Sequence, residues 1–199
     1  MRPSSPLRAV VKGVVLVGGR SRRMARPKQL LESGGIALAE RAVMALLELV
    51  DQVVLAGDGP VPDSLADLPR LVDPPGLAGP LAGVLAAMRW EPEAAWLVVA
   101  CDMPDVSREA VAWLLDQRRS GTSAVMPRLP GGQVEPLLAL YEPEARKLLE
   151  EQVVQARWGL RHLAESDGVI NPTPPHELHN AWTNVNTPED LEARARSEV

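Results

Sequence analysis

"VVKGVVLVGG", residues 10–19, contains an apolar run that ends at two adjacent glycines. The run Val10–Val17 is rich in β-branched residues, as is typical of a buried β-strand. Gly18 and Gly19 follow it, and glycine lets a backbone turn sharply and bring its N–H groups close to an anion. The stretch therefore predicts a buried strand with a glycine turn at its carboxyl end.

Positive charge is concentrated immediately after this strand. The segment "LVGGRSRRMARPK" (16–28) carries five basic side chains, although the formal net charge of the chain is −5. Its pattern is neither G-x-x-x-x-G-K-[ST] nor G-x-G-x-x-G. A solvated basic turn is one interpretation, and the position at the end of the first strand favours the other, a loop that binds phosphates. The residues that could contact a polyphosphate are Ser21, Arg22, Arg23 and Lys28.

Composition limits the class of protein. The 199 residues are 46% hydrophobic and 24% charged, which is typical of a single globular domain. The acidic balance argues against a nucleic-acid partner, and no apolar run approaches the ~20 residues that span a membrane. The single cysteine, Cys101, cannot form an internal disulfide, so we expect a reducing, cytoplasmic setting and a buried, unreactive thiol.

Strand and helix patterns alternate along the first two thirds of the chain. This alternation predicts an α/β fold with a mostly parallel sheet and flanking helices, followed by a mixed C-terminal part. Ligands of such sheets bind beyond the carboxyl ends of the strands. The predicted strands are 10–17, 52–56, 70–72, 95–100, 123–126 and 137–141, the last paired in a hairpin. The predicted helices cover 39–50, 81–88, a segment at 111–115 capped by Asp105 or Ser107, 144–152, 157–164 and a segment that begins at a capping box of Thr187 and Asp190.

Five segments resemble the molybdenum cofactor guanylyltransferases. Beside the glycine-basic loop they are "DPPGLAGPLAG" (73–83), "LVVACDMP" (97–104), "EPLLALY" (135–141) and "NVNTPEDL" (184–191), in the order of that family and across nearly the whole chain. The resemblance implies a single Rossmann-like nucleotidyltransferase domain over 1–199, with helices on both faces of the sheet. Residues 1–127 would bind the nucleotide and residues 128–199 the acceptor. The implied reaction is a Mg²⁺-dependent transfer of GMP from GTP to the terminal phosphate of Mo-molybdopterin, with pyrophosphate as the leaving group.

The resemblance also implies catalytic roles. Lys28 and Arg23 would neutralise the triphosphate and the departing pyrophosphate, and Asp102 would bind Mg²⁺. For Asp102, a turn cap before Pro104 is the structural alternative. We expect Lys28 to be an exposed loop cation that supports no core, and to share one cleft with Asp102.

Further binding residues are implied in the same way. Asp73 could instead form a local turn before Pro74, the glycines could serve close packing, and the asparagines could make local hydrogen bonds. Glu135 stands where the family usually has Gln or His, and a structural role is equally open. The implied nucleotide-binding residues are Leu16, Val17, Gly18, Gly19, Ser21, Arg22, Lys28, Asp73, Gly79 and Gly83, and the implied acceptor-binding residues are Glu135, Asn184 and Asn186.

Three positions depart from the family pattern: Ala25, Pro27 and Ala56. "RPKQLL" (26–31) resembles the related cytidylyltransferases that act on the same pterin, so the alternative nucleotide is CTP. A second alternative, supported by Ala25, is a non-catalytic nucleotide- or pterin-binding adaptor. A sugar-1-phosphate or isoprenoid nucleotidyltransferase is disfavoured by the short, proline-rich C-terminal part. The protein partners implied are other molybdenum cofactor biosynthesis proteins and molybdoenzyme chaperones.

Overall fold

A seven-stranded sheet forms the centre of the computed structural model, which describes residues 9–18, 27–187 and 190–191. Its strand order is β5-β4-β1-β6-β8-β7-β9, and β2 pairs with β3 in a separate hairpin. The strands are β1 (Val11–Leu16), β2 (Glu32–Ser33), β3 (Ile36–Ala37), β4 (Val53–Ala56), β5 (Arg70–Leu71), β6 (Ala95–Ala100), β7 (Ala124–Val125), β8 (Leu138–Tyr141) and β9 (Val169–Ile170).

The sheet is mostly parallel, as predicted. β5, β4, β1 and β6 run in one direction, and β8 is antiparallel to both β6 and β7. Strand β1 lies between β4 and β6, which explains its apolar sequence, because a central parallel strand is covered on both faces. The mixed part of the sheet therefore begins at β8, on the far side of β6.

Helices cover both faces of the sheet. α1 and α3 pack with one another on one face, and α2 and α4 pack on the other. The alternation within β1 matches this arrangement, since Val15 faces the first pair and Val14 the second. The helices are α1 (Leu38–Leu46), α2 (Pro80–Trp90), α3 (Arg108–Asp116) and α4 (Ala145–Val154), with single 3-10 segments at Lys28–Leu30, Asp63–Leu65, Leu160–Glu165 and His176–Trp182.

The helix boundaries correct the sequence analysis in two places. α1 ends at Leu46 rather than near residue 50, because Leu47 has an extended ψ of 143° and Glu48 a φ of 67°. The segment predicted as a helix at 157–164 is a 3-10 helix at Leu160–Glu165. The proline-rich stretch that follows contains β9 and the 3-10 segment His176–Trp182, neither of which has a clear periodic signal.

Two caps were predicted correctly. Ser107, rather than Asp105, caps α3, since its hydroxyl accepts a hydrogen bond from Ala110 N at 3.3 Å. Asp190 N donates to Thr187 Oγ1 at 3.2 Å while Thr187 N donates to the Asp190 carboxylate at 2.9 Å, which is a capping box. No helix in the described ranges has the length and apolar character needed to cross a membrane.

Candidate active site

The carboxyl ends of the four parallel strands place chemistry-bearing residues in a row. The strand order puts Asp73 after β5, Asp58 after β4, Gly18 after β1 and Asp102 after β6. All four line one cleft. Neighbouring strands are about 4.8 Å apart, so the three intervals from β5 to β6 span roughly 14 Å.

Lys28 and Asp102 meet at the β6 end of this cleft. Lys28 Nζ donates to Asp102 Oδ2 at 3.0 Å, although 74 residues separate the two in sequence. The predicted shared cleft is therefore confirmed. Lys28 reaches it from the 3-10 segment that follows β1, and Asp102 comes directly after the buried strand β6.

Lys28 is not the exposed cation that we expected. Its side chain is only 18% exposed, and it also donates to the Val185 carbonyl at 2.8 Å and to Asn186 Oδ1 at 2.9 Å. The ammonium therefore joins the end of β1, the end of β6 and the segment after residue 183. These partners lie 74 to 158 positions away in sequence, so no local pattern signals them.

The second oxygen of Asp102 is oriented differently. Oδ1 is buried and accepts no hydrogen bond from the part of the chain that the structure describes. A buried carboxylate oxygen without a donor is unfavourable unless a ligand satisfies it, and oxygen donors suit Mg²⁺. Among the described residues, no three or more His, Cys, Asp or Glu side chains are grouped so that they could hold a metal ion together. A cation held here would take fewer than three such ligands from the described residues, which fits a Mg²⁺ ion that keeps phosphate and water ligands.

The loop after β4 is held tightly against the end of β1. Gly57 has a φ of +113°, and a Cβ there would lie 2.6 Å from the Val17 carbonyl. Gly59 N donates to that same carbonyl at 3.1 Å, and the Arg70 guanidinium donates to the carbonyls of Gly57 and Gly59. This packing fixes the position of Asp58 in the cleft.

Asp58 and Asp73 form an acidic end to the cleft. Burial raises the pKa of the Asp73 carboxyl, and the negative charge of Asp58 raises it further. Neither carboxylate has an ion-pair or hydrogen-bond partner among the described residues. These oxygens therefore offer acceptors to a ligand that brings N–H or O–H donors.

Two glycines place α2 beside the cleft. Gly79 precedes the helix with a φ of +73°, a conformation that glycine adopts without strain, and Pro80 occupies the first helical position. A Cβ at Gly83 would lie 2.7 Å from Leu16 Cδ2, so glycine allows α2 to approach β1 closely. Both line the cleft, and the N-terminus of an eleven-residue helix favours anionic groups there.

The other predicted nucleotide-binding residues are placed in different ways. Leu16 and Gly18 line the cleft. Val17 does not: its side chain is fully buried in the core, and its N–H and carbonyl bond to Ala56 and Gly59. Gly19, Ser21, Arg22 and Arg23 lie outside the described residues, as does Ala25.

A second cavity adjoins the first beyond β6. Pro80 and Leu137 border both cavities, and Leu137 precedes β8, the antiparallel neighbour of β6. Two of the predicted acceptor-binding residues, Glu135 and Asn184, line this second cavity. The third, Asn186, is exposed and contacts Lys28. The acceptor candidates are thus divided between the second cavity and the lysine.

Cys101 is adjacent to the site but is not a nucleophile. It is 5% exposed, and burial, together with the charge of Asp102, raises the pKa of its thiol to about 12. A thiol with that pKa is almost entirely protonated at neutral pH. The sequence prediction of a buried, small apolar residue is confirmed.

Sequence reasoning missed several residues of the two cavities. Asp58 follows a strand end directly after Ala56 and Gly57, a position that could have singled it out. Trp158 and Arg161 line the second cavity from the segment after α4, where the sequence has no motif. Asp58, Trp158 and Arg161 therefore join the candidate site on structural grounds alone.

The fold and the cleft define a class of protein. A parallel α/β sheet with a glycine, a lysine and acidic residues at its carboxyl edge is the arrangement of a nucleotide-binding transferase, because such an edge offers a polyphosphate backbone amides, a cation and carboxylates.

Comparisons with known proteins identify the family. The family model of the MobA-like NTP transferase domain matches residues 13–169. A probable molybdenum cofactor guanylyltransferase of Pelotomaculum thermopropionicum is 33% identical over 94% of this chain and 93% of its own length. One from Thermococcus gammatolerans is 32% identical over 90% of this chain and 96% of its own. The crystal structure of molybdopterin-guanine dinucleotide biosynthesis protein A from Archaeoglobus fulgidus superposes with a TM-score of 0.72 at 28% identity, covering 94% of this chain and 97% of that one.

The chain therefore belongs to the MobA-like NTP transferase family and is a nucleotidyltransferase of molybdenum cofactor biosynthesis.

Proposed function

We propose that the protein transfers GMP from GTP to the terminal phosphate of Mo-molybdopterin and releases pyrophosphate. The observation that carries this proposal is the Lys28–Asp102 pair at one end of a cleft whose other end, roughly 14 Å away, is acidic. The two relatives from Pelotomaculum thermopropionicum and Thermococcus gammatolerans, both probable molybdenum cofactor guanylyltransferases, support the same reaction.

The cleft suggests the orientation of the nucleotide. A triphosphate carries several negative charges, so it belongs beside Lys28 and the N-terminus of α2 rather than beside Asp58 and Asp73. The base and ribose carry N–H and O–H donors, which suit the two carboxylates. The nucleotide would therefore lie across the ends of β5, β4, β1 and β6, with its phosphates directed toward β6.

The chain supplies charge and position rather than a covalent intermediate. An oxygen of the acceptor phosphate attacks the α-phosphorus, the bond to the pyrophosphate oxygen breaks, and the negative charge on the leaving pyrophosphate increases. Lys28 is placed to neutralise that charge, and the Gly18 backbone to hold the phosphates close. Arg23 is proposed to assist Lys28, on the family resemblance.

Asp102 is the proposed Mg²⁺ ligand. Its unpartnered Oδ1 is available to a cation while Oδ2 contacts Lys28. When bound, Mg²⁺ would neutralise charge on the phosphate oxygens. Lys28 holds the Asp102 carboxylate in a fixed orientation and satisfies one of its oxygens before any ligand arrives.

The acceptor would enter from the second cavity. That cavity adjoins the Lys28–Asp102 end of the cleft across Pro80 and Leu137, so an acceptor phosphate there would approach the α-phosphorus from the β8 side. Asn186, which contacts Lys28, is the proposed contact at this junction, and Glu135 and Asn184 are the proposed contacts within the second cavity. Residues from about 128 onward would thus form most of the acceptor-binding part, and Pro80 and Leu81 of α2 would complete the cavity wall.

The acidic end of the cleft favours guanine over cytosine. The N1–H and 2-amino groups of guanine are adjacent donors that a carboxylate such as Asp73 accepts. Cytosine presents N3 and O2 acceptors beside its single amino group, and these would face the carboxylates unfavourably. This electrostatic argument supports GTP over the CTP alternative suggested by "RPKQLL" (26–31).

A turnover assay with the three nucleotides side by side tests the proposal. Pyrophosphate release is measured with GTP, CTP or ATP, each with Mg²⁺ and Mo-molybdopterin, and with each component omitted in turn. We expect release with GTP only when all components are present. Faster release with CTP would assign the cytidylyl reaction, and GTP binding without turnover at saturating acceptor would assign the adaptor role.

Delivery and removal of the pterin belong to the same proposal. We expect other molybdenum cofactor biosynthesis proteins and molybdoenzyme chaperones to supply the acceptor and receive the product in the cytoplasm. The reducing setting agrees with the single, buried cysteine.

A further inference from the structure

We propose that the second cavity binds the bicyclic pterin ring of the acceptor, with Glu135 accepting from its 2-amino-4-oxo edge and Trp158 stacking on its face. This inference rests on the proposed function. The reaction involves only the phosphate of the acceptor, and the inference assigns a binding site to its ring. It assigns Glu135 and Trp158 a role in choosing the acceptor.

The first support is the burial of Glu135. Glu135 is only 2% exposed, yet it is one of the residues that line the second cavity. A ligand in the cavity would therefore lie next to a buried acidic residue. Burying a carboxylate is unfavourable unless donors surround it. The donors within the described residues are Gln133 Nε2 and Arg161 Nη2, the latter at 3.1 Å.

Both of these bonds end on the same oxygen, Oε1. Oε2 accepts no hydrogen bond from the described residues, so it keeps its lone pairs for a ligand. An ionised carboxylate is acceptor-only, and the ligand group that faces it must therefore carry N–H or O–H donors. The amide-like N3–H and the 2-amino group of a pterin are two such donors on adjacent atoms.

The second support is Trp158. It lines the same cavity and is 52% exposed, so the side chain is accessible to a ligand. A half-exposed aromatic side chain that lines a cavity can provide a stacking surface for a flat heterocycle. In the chain, Trp158 lies between α4 and the 3-10 segment Leu160–Glu165. Leu160, two residues later, is buried in the core.

The third support is Asn184. Its Oδ1 is buried and has no hydrogen-bond partner in the described part of the chain, and the residue lines the cavity. Asn184 Oδ1 is thus a second hydrogen-bond acceptor of this cavity, after Glu135 Oε2, that has no donor among the described residues. Both atoms favour a ligand that carries N–H groups. Glu135, Trp158 and Asn184 together thus match a flat ring that carries several N–H groups.

The test measures ring binding without turnover. The probes are pterin and lumazine, which replaces the 2-amino donor by an oxygen acceptor, and binding is followed by quenching of ring fluorescence. We expect the wild-type protein to bind pterin about tenfold or more tightly than lumazine, the discrimination expected when a hydrogen bond to a charged group is lost. Glu135→Gln should bring the ratio close to one.

Variants of the tryptophan test the stacking. Trp158→Ala should weaken pterin binding about tenfold, and Trp158→Phe should retain most of it. The matched control is Trp90→Ala, because Trp90 is 45% exposed and lies at the end of α2, outside the cavity lining. It should bind pterin as the wild-type protein does.

Competition with GTP separates this inference from the proposed function. Guanine has the same donor edge as a pterin, so displacement of pterin by GTP would place the base here and overturn the inference. We expect pterin to bind equally well with GTP present. A wild-type protein that fails to bind pterin, or an unchanged pterin-to-lumazine ratio in Glu135→Gln, would also overturn it, whether or not the enzyme turns over.

The folding of each variant is checked by thermal unfolding with and without GTP. If Glu135→Gln unfolds, the wild-type ratio and the three tryptophan variants still decide the outcome. Trp158 is half-exposed, and its substitution leaves the core intact.

Discussion

Lys28 Nζ lies 3.0 Å from Asp102 Oδ2, and this contact joins the 3-10 segment Lys28–Leu30 to the end of β6. The same ammonium donates to the Val185 carbonyl, while Val185 N donates to the Asp102 carbonyl at 2.9 Å, so Lys28 is one of the contacts that hold the segment around residue 185 to the cleft. Because Lys28 has both a proposed role in the reaction and observed contacts in the fold, its substitution has two separable consequences, one for turnover and one for stability.

Lys28→Met should lower turnover by about 100-fold or more, because it removes a charge directed at the developing negative charge of the leaving group. It should also lower the free energy of unfolding by about 1–2 kcal/mol, since the partly buried Asp102 and the Val185 carbonyl each lose a donor. Pyrophosphate release and thermal unfolding measure the two effects.

The control is Lys147→Met, at a lysine whose side chain is 84% exposed on α4. It should change neither quantity. Normal turnover in Lys28→Met would remove Lys28 from the mechanism, and unchanged stability would show that its three contacts contribute nothing to the fold.

Asp102→Asn should lower the rate and weaken the dependence on Mg²⁺ together. The amide keeps the size of the side chain but removes the negative charge that a hard cation prefers. The measurement is the initial rate as a function of Mg²⁺ concentration, with Asp116→Asn, an exposed residue at the end of α3, as the control. An Asp102→Asn enzyme with the wild-type rate and the wild-type Mg²⁺ curve would exclude the assigned role.

Asp73→Asn should raise thermal stability at pH 7 while it weakens the binding of GTP. Burial and Asp58 raise the pKa of Asp73 in the fold, so folding favours its protonated form. The stabilising contribution is complete below the unfolded pKa, near pH 4, and is lost as the pH rises through the folded value. Asn avoids that loss, so its advantage should be largest at neutral pH and should vanish in acid.

Melting temperatures between pH 3.5 and pH 7 measure this difference for wild type and variant. The exposed Asp67→Asn serves as the control. An Asp73→Asn variant that is less stable than wild type at pH 7 would show that the carboxylate makes a favourable contact in the fold.

Cys101 should resist alkylation in the native protein. With a pKa of about 12, less than one thiol in a thousand is ionised at pH 8, and the side chain is buried. Mass spectrometry after iodoacetamide treatment should show no label in the folded protein and complete label after denaturation. Rapid native labelling would mean that the end of β6 opens frequently, and would contradict the rigid placement of Asp102.

The sequence predicted what depends on short-range pattern. Apolar runs located six of the nine described strands to within one or two residues, whereas the two-residue strands β2, β3 and β9 were not predicted. Asp73 and Asp102, which follow two of the six, were placed correctly at the sheet edge. The carboxyl ends of parallel strands lie at the same edge of a sheet, so correct prediction of the strands was enough to predict that these two residues share that edge.

What the sequence could not predict depends on contacts between distant segments. Lys28 donates hydrogen bonds to Val185 and Asn186, and these contacts help to bury its side chain. The sequence pattern around residue 28 cannot predict contacts with residues so distant in the chain. α1 ends early because the backbone reverses at Glu48, which apolar spacing through Val50 does not show. The second cavity combines Glu135 with Trp158, two residues whose proximity only the packing of α4 and its 3-10 extension creates.

The fate of the nucleotide phosphates tests the central claim most directly. The protein is supplied with Mo-molybdopterin, Mg²⁺ and GTP labelled at either the α- or the γ-phosphate, and the products are separated. Transfer at the Lys28–Asp102 cleft predicts α-label in a pterin dinucleotide and γ-label in pyrophosphate. Label released as inorganic phosphate, or a pterin that stays unlabelled while GTP is consumed, would contradict it.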